Sequence, residues 1–260
     1  MIKKIKNKIR RYGRNIVCEG ILQYERMYKN TASNEESDKQ NPQSMDYSYL
    51  APIDLGYYSF DIGPSIDNKK LENCKVVSTR YSSLPLMPKG VICAEIGVAY
   101  GEFSECILTE MQPKELHLID VYVTQPGDTE FFGRDWFLKS GLNHEQYIRD
   151  KFANEQKVII KKGYSYDVLE TYSDDFFDWV YVDGGHDYDC VKKDIEVLKR
   201  KVKNGGIIAF NDYTYFSLME SYCYGVSRAV NEFLAESDSE VIMYCIQPNK
   251  MDDLVVRLIK

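Results

Sequence analysis

The chain has 260 residues, 44% of them hydrophobic and 28% charged, with a formal net charge of −7. That length suits one large domain or one domain with an appendage, and the acidic balance argues against nucleic acid as a partner. Seven cysteines are scattered without a C-x-x-C pair, and no apolar run reaches the ~20 residues that span a bilayer. A reduced, cytoplasmic protein without a signal peptide is therefore expected.

Residues 1–30 read as one or two helices, because Ile2, Ile5, Ile9, Tyr12 and Ile16 recur at spacings of three and four. Seven of the first fourteen residues are Lys or Arg and none is acidic. Two readings fit: peripheral contact of residues 1–14 with a membrane surface or partner, or a solvated helix packed on its own domain or a second subunit. Thr31–Ser48 is polar and reads as a linker, and 47–60 is rich in aromatics without a period. Residues 1–88 are thus expected to form an N-terminal helical cap or homo-oligomerisation element, and 89–260 the main domain. Arg80–Pro85 leads into the first strand, near where a substrate pocket would lie.

Val91–Gly101 (VICAEIGVAYG) is the stretch around which the main domain is organised. The apolar run predicts a buried strand, the two glycines four apart a tight turn, and Glu102–Leu108 takes up helical spacing. Gly97 and Gly101 permit positive φ and close approach of a ligand, and the N–H groups of the new helix face the same crevice. The turn suits a nucleotide-like ligand. A phosphate loop needs Gly-Lys-Ser/Thr and a dinucleotide site G-x-G-x-x-G, whereas this chain reads E-x-G-x-x-x-G from Glu95.

A second strand, Glu115–Asp120, ends in an acid about 20 residues beyond the turn, where a carboxylate can accept both ribose hydroxyls. The alternative for Asp120 is a cap on the next element. His117 reads as packed and His144 as a surface residue. Residues 121–156 read as an inserted loop, a candidate lid, followed by a helix over Leu142–Asn154. After the strand Lys157–Lys162, the turn Gly163–Asp167 places Ser165 and Tyr166 at an adenine edge. Strand Asp178–Asp183, helix Tyr188–Lys201, strand Ile207–Asp212 and helix Val226–Leu234 continue the alternation. Strands Glu240–Cys245 and Leu254–Ile259 suit an antiparallel hairpin at the sheet edge. The whole predicts an α/β fold with a mostly parallel sheet.

In such sheets ligands bind beyond the carboxyl ends of the strands. Those ends deliver Glu95, then Asp183-Gly184-Gly185-His186, then Asn211-Asp212-Tyr213. Asp183, Asn211 and Asp212 form an all-oxygen set suited to Mg²⁺. His186, with a reference pKa of about 6.5, suits a general base. The plainer reading is a hydrogen-bonded network tying the strand ends together.

Ala94–Leu108, Pro113–Asp120, Tyr181–Asp194 and Lys203–Tyr213 together resemble bacterial class I S-adenosylmethionine (SAM) methyltransferases. That family includes sugar O-methyltransferases of macrolide and surface-polysaccharide biosynthesis, and the resemblance covers roughly residues 89–260. It implies a Rossmann-like, doubly wound sheet of seven strands with SAM as methyl donor. Taken with the readings above, the expected cofactor-binding residues are Glu95, Gly97, Gly101, Asp120, Gly163, Ser165, Tyr166 and Asp183. It also implies Mg²⁺ on Asp183, Asn211 and Asp212, with His186 and Asp183 catalytic; Asn211 departs from the acid or histidine that relatives carry there. The expected substrate is a hydroxyl of a sugar, nucleotide-linked or from a glycan pathway. The alternatives are a catechol-like or other small-molecule hydroxyl, or a non-catalytic protein binding a membrane or partner through its basic helix.

Overall fold

The computed structural model describes residues 63–122, 143–217 and 222–260. The basic segment 1–14, the helices expected up to residue 30, the linker, the aromatic stretch 47–60 and the inserted loop over 123–142 lie outside the described residues. Within them, strands β1 (Lys75–Val77), β2 (Ile92–Ile96), β3 (Glu115–Asp120), β4 (Val158–Lys162), β5 (Phe177–Val182), β6 (Val202–Phe210), β9 (Glu240–Cys245) and β10 (Asp253–Arg257) form one sheet. Its order is β1-β9-β10-β6-β5-β2-β3-β4. A separate antiparallel pair joins β7 (Phe216–Ser217) to β8 (Tyr222–Cys223).

All neighbours from β6 to β4 are parallel, as are β1 and β9, while β10 is antiparallel to both β6 and β9. β10 alone therefore runs against the other seven. The doubly wound, mostly parallel sheet agrees with the sequence reading, but it has eight strands rather than seven. The additional strand is β1, which pairs Lys75 with Met243 and takes the edge beyond β9. The C-terminal hairpin is therefore internal. β1 gave no periodic signal because it is three residues long and outward-facing, with Val76 64% exposed.

Helices α1 (Arg80–Ser83), α2 (Glu102–Met111) and α3 (His144–Lys151) supply one core cluster with Leu84, Phe103, Ile107, Met111 and Ile148. Helices α4 (Ser165–Glu170), α5 (Tyr188–Lys201) and α6 (Val226–Glu236) supply the other, with Leu169, Ile195, Leu198, Ala229 and Phe233. The strand alternation divides the two: Trp179 and Tyr181 of β5 enter the first cluster, Val180 and Val182 the second. α5 shows why the sequence makes a helix here. Asp187 accepts the Cys190 N–H at 3.0 Å as N-cap, Val191, Ile195 and Leu198 bury one face, and Lys199, Arg200 and Lys201 end it on the negative dipole. Asn204-Gly205-Gly206 lies inside β6, where the register against β5 shifts. No helix among the described residues is long and apolar enough to cross a membrane.

Candidate active site

The turn from β2 into α2 brings the first half of the site to the carboxyl rim. Gly97 (φ +83°), Ala99 (φ +45°) and Gly101 (φ +71°) all lie in the left-handed region. A Cβ on Gly97 would stand 1.8 Å from the Asp183 carbonyl oxygen, so this glycine is required by contact between the ends of β2 and β5. A Cβ on Gly101 would press on Phe152, 2.8 Å away. Asp120 accepts the Val98 N–H at 2.7 Å and the Tyr122 N–H at 2.8 Å, one on each oxygen. It thereby pins the glycine turn to the end of β3. Glu95 is buried beneath the turn, accepting from the Ser104 hydroxyl at 2.5 Å. Burial pushes its pKa up to about 8 against the pull of that hydrogen bond.

α3 braces the same turn from outside. The His144 ring nitrogen Nε2 lies 2.6 Å from the Ala99 carbonyl, and Lys151 donates to the Tyr100 carbonyl at 2.9 Å. His144 is 1% exposed, not the surface residue its position suggested, because the glycine turn packs over it. His117 is packed as expected, between Tyr172 and Glu115 at 3.0 and 3.1 Å. Farther along the rim, the Gly163 N–H donates to the Asp120 carbonyl. Ser165 turns inward and donates to the buried Asp194 at 2.5 Å. Tyr166 is half-buried, stacked on Tyr164 and lying under the Lys193 ammonium.

The second half is built from side chains. His186 Nε2 stands 3.5 Å from Asp183 Oδ1 and 3.6 Å from Asp212 Oδ2, and its ring stacks on Tyr224 at 4.5 Å and 5°. The structure thus brings together the strand-end residues of β5 and β6 that the sequence singled out. Asp212 holds φ +53°, a conformation costing a non-glycine residue roughly 1–2 kcal/mol. Burial, then the neighbouring Asp183 charge, push its pKa up to about 7.

Beneath this trio lies a network the sequence did not announce. The Tyr181 hydroxyl donates to Asp253 at 2.9 Å and accepts from Asn211 at 3.0 Å and Arg80 at 3.1 Å. Asn211 also donates to Asp253, as does Gln247. Asp253 is 1% exposed, and burial pushes its pKa up to about 7. The available signal was an acid opening the apolar run Leu254–Val256 of the strand DLVVR. Arg80 reaches Asp183 Oδ2 at 3.3 Å while its guanidinium lies over the Phe103 ring at 4.8 Å.

Residues 94–213, just under half of the chain, match a family model described as a methyltransferase domain. Over that segment the chain is similar to methyltransferase domains. No curated protein matches it in sequence. Among solved structures, a Galdieria sulphuraria protein is 13% identical with a TM-score of 0.36, covering 50% of this chain and 43% of its own. A Corynebacterium glutamicum protein is 14% identical with a TM-score of 0.48, covering 92% and 98%. N-methyltransferase NodS from Bradyrhizobium japonicum, in complex with S-adenosylhomocysteine, is 18% identical with a TM-score of 0.44, covering 68% and 82%. The chain thus spans less than half the length of the Galdieria protein, and likeness at these scores carries no argument about substrate.

The carboxyl rim suits a cofactor that carries a positive sulfonium and no phosphate. Glu102 and Glu105 occupy the first turn of α2, where a pyrophosphate would be repelled, and Gly101 caps that helix without a side-chain bond. Asp120 spends one lone pair per oxygen on the backbone, which leaves acceptor capacity on each. A divalent ion on Asp183, Asn211 and Asp212 does not fit. Asn211 is 4% exposed with its Nδ2 donating to Tyr181 and Asp253, and Asp183 Oδ2 already faces the Arg80 guanidinium. Among the described residues no cluster of three or more His, Cys, Asp or Glu side chains is arranged to hold a metal.

Proposed function

We propose that the protein transfers the methyl group of SAM to a hydroxyl of a sugar, nucleotide-linked or from a glycan pathway, with His186 as general base. The observation that carries this reading is the imidazole of His186 held between Asp183 and Asp212 at 3.5 and 3.6 Å. When bound, SAM supplies a methyl group already activated on a cationic sulfur, so the protein has to align an oxygen and remove one proton. The two carboxylates flank the ring nitrogen Nε2, and the Tyr224 stack fixes the ring plane. With SAM bound, the acceptor oxygen would take the methyl group as the sulfur left as a neutral thioether, and His186 would receive the hydroxyl proton. Asp183 and Asp212 also offer acceptors for neighbouring hydroxyls, which suits a polyhydroxylated substrate. The sugar class itself is supported by the resemblance of the D-x-x-H and N-D-Y segments.

Isothermal titration with SAM, S-adenosylhomocysteine and NAD tests the cofactor, and a methyl-transfer screen over nucleotide sugars tests the acceptor. Binding of NAD without SAM would overturn the reading. His186→Ala is expected to lower kcat by ~10²–10⁴-fold with SAM affinity kept, the usual range for a lost general base. Unchanged turnover would refute the base.

A further inference from the structure

We propose that Arg80 is the resident cation of this site: its guanidinium compensates the Asp183–Asp212 pair and keeps a divalent ion out. The inference does not depend on which acceptor is methylated.

Two carboxylates sharing one imidazole need positive charge nearby, or one of them must stay protonated. Arg80 is the arginine that meets this need, with Nη1 3.3 Å from Asp183 Oδ2 and 3.1 Å from the Tyr181 hydroxyl. Its position is set by an element outside the segment that matches the family model. β1 runs parallel to β9 and so ends at the same rim as the other parallel strands, and Arg80 opens the helix after it. That short helix is tied at both ends of its turn. The Thr79 hydroxyl accepts the Ser82 N–H at 3.2 Å, and the Ser83 hydroxyl donates to the Arg80 carbonyl at 2.6 Å. The guanidinium lies over the ring of Phe103, which itself contacts Tyr181 at a centroid distance of 4.4 Å. A planar, permanently charged group is thus clamped between an aromatic face and two oxygens.

Magnesium needs near-octahedral oxygen ligands at about 2.0–2.1 Å and several of its own waters. Here Asp183 presents one oxygen to Arg80 and the other to His186. The third expected donor, Asn211, is turned into the Tyr181–Asp253 network. A dication placed against Asp183 would also meet the guanidinium charge at short range. Arg80 acts through Asp183 and Tyr181 and is a positioning residue.

Mn²⁺ binding followed by electron paramagnetic resonance tests this without relying on turnover. Wild-type protein is expected to show no saturable binding up to millimolar Mn²⁺. Arg80→Met is expected to take up one Mn²⁺ at least ~10-fold more tightly, since a like charge at this distance has been removed. Adding Asp183→Asn to Arg80→Met should abolish that uptake, and Arg80→Lys, which keeps the charge, should behave as wild type. Stoichiometric uptake by wild-type protein that Asp183→Asn abolishes would overturn the proposal. So would a folded Arg80→Met that binds no better than wild type, or Arg80→Lys binding as well as Arg80→Met. Arg80→Gln, which retains an N–H donor for Tyr181, replaces Arg80→Met if circular dichroism shows that variant unfolded.

Discussion

The two halves of the rim are made of different material. Around β2, β3 and α3 the surface offered to a ligand is backbone, and the side chains there (Asp120, His144, Lys151) point at the turn to hold its shape. Around β5, β6 and β10 the surface is side chain on side chain: Arg80, Tyr181, Asp183, His186, Asp212 and Asp253. The first half fails when a shape changes, the second when a charge or hydroxyl is lost. The proposed function would account for the difference: a constant adenosyl group can be met by a fixed backbone contour, while proton removal needs titratable groups.

The comparison is sharpest at Gly97. Gly97→Ala would drive a Cβ to 1.8 Å from the Asp183 carbonyl at a φ that only glycine holds freely. The expected loss is ~3 kcal/mol or more, read as a fall of roughly 10 °C in Tm by calorimetry. A variant with wild-type Tm would break the claim that the two halves meet through this residue.

Tyr181→Phe strikes the other half. It removes one hydrogen-bond partner each from Arg80, Asn211 and Asp253, and should cost about 1–3 kcal/mol in urea unfolding. SAM affinity, set on the backbone side, should change less than twofold; a large loss would mean the halves are not separable.

Glu95 tests the pH dependence. Its folded pKa of about 8 lies above the ordinary carboxyl value of 4.5, so the folded state retains a proton that the unfolded state has released in that window. Stability therefore falls as pH rises, by up to about 1.4 kcal/mol per unit, and Asp212 and Asp253 contribute with the same sign up to about 7. Glu95→Gln should flatten that slope by one proton's worth between pH 5 and 8. An unchanged slope would show that Glu95 is ionised throughout. The smallest effect is expected for Lys151→Met, which frees the Tyr100 carbonyl and should weaken SAM binding only several-fold, about 1 kcal/mol.

Legibility in the sequence tracked locality. The strands carrying Glu95, Asp120, Asp183 and Asp212 were readable because each is an apolar run ending in a polar residue at a turn, and buried parallel strands read that way. The Asp183–His186–Asp212 corner came from the rule that ligands sit beyond strand ends. What pattern could not show is which way a side chain turns. Asn211 enters the interior, Ser165 commits to Asp194, and Gly97 serves the β2–β5 contact. The Arg80 segment was placed near the pocket but not its partners, and Asp253 stayed hidden, because their contacts depend on β1 and β10 arriving at the rim from distant parts of the chain.

The lone reversed strand decides how this pocket comes into being. Because β10 runs against its neighbours, its beginning rather than its end meets the rim, and Asp253 arrives there. The contacts that close the cluster span 101 residues from Arg80 to Tyr181 and 72 from Tyr181 to Asp253. Loops of that span close late in folding. On a ribosome, a nascent chain can shape its cofactor turn well before position 253 emerges. The Arg80–Tyr181–Asp253 cluster cannot be completed until that residue is through the exit tunnel.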